Sequence, residues 1–198
     1  PFDQPDVAST KAAALKFLAE GCPKPDFTEN FIGNVNMGEA EVTIAPCIKS
    51  DTLMGALRNL FASIKPGDYF ALDAFLPFDG EGRREALEVI RHGVADKLGV
   101  VSCLEIGPRY LHSTGQLQKG GTNNGVFLMV SANELKDIPL RHVEPESLGM
   151  LARTQAAADL SILIERGRRC MHLHLPDNSG VTIRALGDAV MKVLDEIE

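Results

Sequence analysis

From Glu41 onward, short apolar runs alternate with amphipathic stretches, and this alternation constrains the chain more than any other feature. The runs at 41–46 (EVTIAP), 69–76 (YFALDAFL), 100–104 (VVSCL), 126–131 (VFLMVS) and 168–175 (RRCMHLHL) have the length of strands. Leu53, Leu57, Leu60 and Ile64 make a helical stripe after the first run, and Leu87, Ile90, Val94 and Leu98 make one after the second. A helix of good formers is expected over 147–166, closed by Gly167, and a last one carries Leu186, Val190, Val193 and Ile197. Strands that alternate with helices pair largely in parallel, with helices on both faces. Right-handed crossovers then give an α/β fold, a three-layer αβα sandwich with a largely parallel sheet of about five strands.

Local signals agree. Ser50 or Asp51 is placed to cap the first of these helices, 66–68 (Pro-Gly-Asp) turns the chain, and Gly99 ends the second helix. The stretch at 133–146 reads as polar and irregular. Asp73 interrupts an otherwise apolar strand. It either sits at a strand end in a site or hydrogen-bonds a helix N-terminus. His172 and His174 are i, i+2 and share one strand face, which suits half a metal site or plain packing; no third ligand is placed, so no metal is expected.

Charge and composition narrow the function. The chain has 198 residues, 44% of them hydrophobic, with a formal charge of -7, which fits one domain with a sizeable core and argues against nucleic acid or acidic membranes as partners. No apolar run has the length of a membrane span, and no signal-peptide pattern opens the chain. Cys22, Cys47, Cys103 and Cys170 are widely spaced and fit no zinc pattern, so they read as reduced thiols in a cytoplasmic protein. The chain begins at Pro1, which leads us to expect residues upstream of it in the natural protein.

One segment breaks the regular pattern. Residues 105–129, EIGPRYLHSTGQLQKGGTNNGVFLM, hold many glycines and polar side chains between two expected core strands. A long polar connection inside a compact domain is usually functional or disordered. Arg109 and Lys119 supply positive charge, and Gly115, Gly120 and Gly121 would let backbone N–H groups approach an anion. His112, oriented by Ser113 or Thr114, would move a proton. These residues make a candidate sugar-phosphate site. The glycines suit plain turns equally well, and no P-loop or dinucleotide spacing is present.

The amino-terminal stretch is different again. Pro5 and Asp6 open a helix that Gly21 closes, and Val7, Lys11, Ala14 and Leu18 fall on one face. A lysine on an apolar stripe snorkels, pairs or works in a site. Residues 23–40, rich in Pro, Gly and Asn, read as a linker.

Two segments carry a family resemblance. PFDQPDVASTK resembles the carboxy-terminal signature of glucose-6-phosphate isomerases. Phe2, Asp3, Gln4, Val7 and Lys11 match it, while Asp6 and Ala8 replace its glycine and glutamate. GPRYLHSTGQLQKGGTNNGVFL is similar to a segment near the end of bacterial bifunctional transaldolase/glucose-6-phosphate isomerase proteins, and the likeness extends to 66–77 and 152–175. The resemblance implies that residues 1–22 are the last helix of an isomerase domain, 23–40 a linker, and 41–198 an appended αβα domain. It implies an aldose–ketose isomerase acting on glucose 6-phosphate and fructose 6-phosphate without a cofactor, in which Lys11 contacts the sugar near its ring oxygen. The family's phosphate loops, base glutamate and ring-opening histidine precede the signature lysine, so they would lie upstream of Pro1, as would a transaldolase module. None of them is transferred to Glu105 or His112. The further expectations are a detached first helix, no isomerase activity in this stretch alone, and the remainder of its own chain, or a second copy in a homodimer, as partner. The rival readings are a non-catalytic docking or oligomerisation domain, and an independent sugar-phosphate binder.

Overall fold

The computed structural model describes residues 4–20, 29–34, 38–77, 80–140 and 147–197. The chain runs α1 (Pro5–Ala19), β1 (Glu29–Asn34), β2 (Glu39–Ile44), α2 (Leu53–Ala62), β3 (Tyr69–Phe75), α3 (Arg83–Leu98) and β4 (Val101–Ile106). A 3₁₀ turn (Arg109–Leu111) follows, then α4 (Ser113–Gly120), β5 (Gly125–Ala132), α5 (Leu148–Glu165), β6 (Arg169–Leu175) and α6 (Gly180–Ile197).

The strands form one sheet in the order β1-β2-β6-β5-β3-β4. β6, β5, β3 and β4 are parallel, whereas β1 and β2 form an antiparallel pair at the β6 edge. The sheet therefore has six strands rather than about five. The extra strand, β1, lies inside the stretch that composition marks as a linker. Its Asn and Gly are tolerated because an edge strand pairs on one side only. Gly33 passes so close to α2 that an added Cβ would stand 2.8 Å from Leu53 Cβ.

Period-two alternation sorts the strand residues onto two faces. Phe70, Leu72, Val126, Leu128, Val130, Met171 and Leu173 pack against α2, α3 and α6 in the larger apolar core. Ala71, Phe75, Phe127, Met129 and Cys170 face the other way, onto Ala156, Leu160, Leu163 and Ile164 of α5. Asp73, Ser131, His172 and His174 share this second parity, so the α5 face is where polar groups enter the interior.

Caps follow local chemistry. Thr52, not Ser50 or Asp51, caps α2, its hydroxyl accepting from the Gly55 N–H at 3.2 Å. Ser147 caps α5 by accepting from Met150 N–H at 3.1 Å. Gly99 and Gly167 close their helices at φ of 61° and 67°.

The first helix is not detached. It packs on α5 and α4. Asp6, Val7 and Thr10 are its buried residues.

Candidate functional site

Residues 105–129 are not a loop. They finish β4, make the 3₁₀ turn, form α4 and enter β5. Several of the glycines are there for close packing. A Cβ on Gly115 would stand 3.0 Å from Lys119 Nζ, and one on Gly107 would stand 2.6 Å from the Phe75 ring.

α4 sends side chains in two directions. Inward, Lys119 Nζ lies 2.5 Å from Asp159 Oδ1 and donates to the Gly115 carbonyl at 3.3 Å. The Tyr110 hydroxyl donates to the other oxygen of Asp159 at 2.8 Å. Beside them, Gln118 Nε2 donates to Asp73 Oδ1 at 3.1 Å. Asp73 Oδ2 and Gln118 Oε1 have no hydrogen-bond partner among the described residues. Burial, reinforced by the charge of Asp159, holds the Asp73 carboxyl well above the usual range; the Gln118 N–H and the Lys119 charge act against this. Burial also pushes the Tyr110 phenol well up, with Asp159 and Asp73 adding to it. At the end of α4, Arg168 Nη2 donates to the carbonyls of Lys119 and Gly121 at 2.6 and 2.7 Å.

Outward, α4 grips α1. Gln116 Nε2 donates to Asp6 Oδ2 at 2.6 Å, and the Asp6 N–H donates back to Gln116 Oε1 at 3.0 Å. Arg166 pairs with the same carboxylate. Gln4 Nε2 donates to the Ser113 hydroxyl at 3.3 Å.

The residues proposed from sequence to bind a sugar phosphate therefore do not gather. Lys119 is 1% exposed and bound to Asp159, so its charge is spent in the interior. Arg109, His112 and Ser113 lie on the surface, and Thr114 is half-buried. Gly121 turns its carbonyl to Arg168, and Gly120 packs on Asp6 and Gln116. Lys11 leaves the stripe expected of it. Val7 is buried and Ala14 and Leu18 are half-buried, but Lys11 is exposed on the flank of α1.

A second polar group occupies the α5 face near the carboxyl ends of β5 and β6. Ser131 Oγ lies 2.8 Å from His172 Nε2 and 2.8 Å from His174 Nδ1. His174 Nε2 lies 3.1 Å from Asn133 Oδ1. An amide oxygen only accepts, so His174 carries its proton on Nε2 and takes the Ser131 O–H on Nδ1. Ser131 then accepts from His172 Nε2–H. The two histidines are bridged by a hydroxyl, and the described residues contain no cluster of three or more metal-ligating groups. Ser131 and Asn133 were missed from sequence, although their spacing repeats the i, i+2 pattern of the histidines they meet.

This group borders a cleft of about 390 Å³ lined by Asn133, Glu134, Asp137, Ser147, Arg153 and His174 among others. Asp137 accepts from the Ser147 hydroxyl and, at 2.8 Å, from the Gly149 N–H of the first turn of α5; the Ser147 bond first and the Gly149 N–H after it hold its carboxyl below the usual range. The cleft lies at the carboxyl ends of β5 and β6, whereas the chain changes direction in the sheet between β3 and β5.

The fold is thus an α/β sandwich wound in both directions from its centre. One solved structure with this fold is the crystal structure of hypothetical protein TT0462 from Thermus thermophilus. It matches with a TM-score of 0.62 and 18% identity, over 73% of this chain and 39% of that one. No protein-family model and no curated protein matches the chain. Among the described residues no helix is long and apolar enough to cross a membrane. Cys47, Cys103 and Cys170 are free thiols, while Cys22 lies outside the described residues.

Proposed function

We propose that this chain is the carboxy-terminal part of a glucose-6-phosphate isomerase, of the kind fused to a transaldolase. The whole protein interconverts glucose 6-phosphate and fructose 6-phosphate by opening the sugar ring and shifting a proton through an enediol, with no cofactor. Lys11 is the group this chain contributes, holding the ring oxygen and neighbouring hydroxyls by hydrogen bonds from its ammonium. The carboxylate base, the ring-opening histidine and the phosphate loops belong to residues upstream of Pro1.

One observation carries the reading. The two segments that resemble the family lie against each other, Asp6 on Gln116 and Gln4 on Ser113. Lys11, on the same helix, is left exposed and so open to a neighbouring domain. The rival reading of 105–129 as a separate sugar-phosphate site loses its main cation, because Lys119 is paired with Asp159.

The test is turnover of fructose 6-phosphate in a coupled assay. The full-length protein is expected to be active and its Lys11→Ala variant to lose most of kcat, while residues 1–198 alone are silent. A full-length protein without isomerase activity, or turnover by the isolated stretch, overturns the proposal.

A further inference from the structure

The role of residues 105–129 follows from how α1 is held. Few of its apolar side chains anchor it. Val7 is buried, but Phe17 and Leu18 are only half-buried and Leu15 is 71% exposed. Neither apolar core includes a residue of α1. Beside its packing on α5, polar bonds fix it to α4 and to the end of α5. Asp6 is 3% exposed, and a carboxylate removed from water is costly unless bonded and paired. Its partners come from two different elements, Gln116 of α4 and Arg166 just after α5. Gln116 bonds Asp6 twice, once to the carboxylate and once to the main-chain N–H. That two-point bond sets direction as well as distance. Gly120 is part of the fit, because an added Cβ would stand 2.6 Å from Asp6 Oδ2 and would also collide with Gln116 Nε2.

We infer that Asp6, Gln116 and Arg166 are a positioning set, through which the appended αβα domain aims α1 and the exposed Lys11 it carries. The inference rests on the isomerase reading for what Lys11 does, but not for how α1 is held. It gives the glycine-rich segment a task, gripping the signature helix from outside, in place of binding substrate. It also accounts for Asp6 where the signature has glycine. A glycine there would offer Gln116 its N–H alone, and Arg166 nothing.

The experiment uses the full-length protein with Gln116→Leu, Asp6→Ala, the double variant, and Arg166→Lys as the conservative control. Each is assayed for kcat and KM with fructose 6-phosphate, and amide exchange is followed in residues 5–19 and in the sheet. Displacing a group near the reacting atoms by about 1 Å costs roughly 100-fold in rate. The expectation is a fall in kcat of about 10-fold to 100-fold in either single variant, no further fall in the double, and near wild-type rate with Arg166→Lys. Exchange in α1 rises by about 10-fold or more while that of the sheet is unchanged. Variants with wild-type kcat and unaltered exchange in α1 overturn the inference. An inactive wild-type protein overturns the isomerase reading and the aiming of Lys11 with it, and the exchange data still decide whether these residues hold α1.

Discussion

Lys119 Nζ lies 2.5 Å from Asp159 Oδ1, and neither side chain has any exposure. Removing one partner from such a pair strands a charge in the interior, whereas replacing both by apolar groups is often neutral. Lys119→Met is therefore expected to cost about 3–5 kcal/mol in urea denaturation. The double variant Lys119→Met with Asp159→Leu should recover much of that loss. A single variant within about 1 kcal/mol of wild type, on the scale of an exposed pair, would show that the two do not depend on each other.

Asp73 ties stability to pH. Its carboxyl is raised well above its ordinary value by burial first and by the charge of Asp159 second. A folded state that binds the proton more tightly than the unfolded chain gains stability from that group at low pH. The gain is full below the unfolded carboxylate range and is lost as pH rises towards the folded value. Glu105, Asp159 and Lys119 also act on this group, and Gln118 is hydrogen-bonded to it. Denaturation of wild type and Asp73→Asn from about pH 4 to 9 should show wild type falling relative to the variant. Parallel curves would mean that Asp73 ionises as it does in water.

Gly120→Ala tests the seat of α1 by sterics alone. The new methyl group meets Gln116 and Asp6, so either α4 shifts or α1 lifts. Overpacking of this kind costs about 1–3 kcal/mol. Limited proteolysis should cut the variant first within residues 5–19, with the rest of the chain resistant. Protection equal to wild type would refute the seat.

Ser131→Ala removes the hydroxyl that joins the two histidines. The His172 Nε2–H and the His174 Nδ1 lone pair lose their common partner inside the protein. A loss of about 1–3 kcal/mol is expected, with Ser131→Thr milder because the hydroxyl is kept. Nitrogen chemical shifts should find the His174 proton on Nε2 in wild type. A proton on Nδ1 would contradict the direction of the hydrogen-bond chain.

Much of the fold was legible because apolar periodicity reports which face a residue occupies. The runs around Leu72, Leu128 and Leu173 mark the parallel strands, and the stripes of α2, α3 and α6 mark the helices that cover one side. β1 was not legible, because an edge strand with an open side needs no alternation. Residues 105–129 misled for a physical reason. Glycine suits an anion loop and tight packing equally well, and it takes contacts such as those of Gly107 with Phe75, Gly115 with Lys119 and Gly120 with Asp6 to separate the two uses. Lys119 read as a surface cation because its partner Asp159 sits in a distant helix. Ser131 was invisible because one hydroxyl at the end of an apolar run gives no pattern until the next strand supplies His172 and His174.

α1 is made before the residues that hold it. Gln116, which grips Asp6, comes 110 positions after it, and Arg166 later still. Both apolar cores close without any residue of α1. The sheet and its covering helices can therefore assemble first, with α1 docking onto a finished surface. Synthesis alone therefore does not seat α1, because both groups that hold Asp6 are made after it.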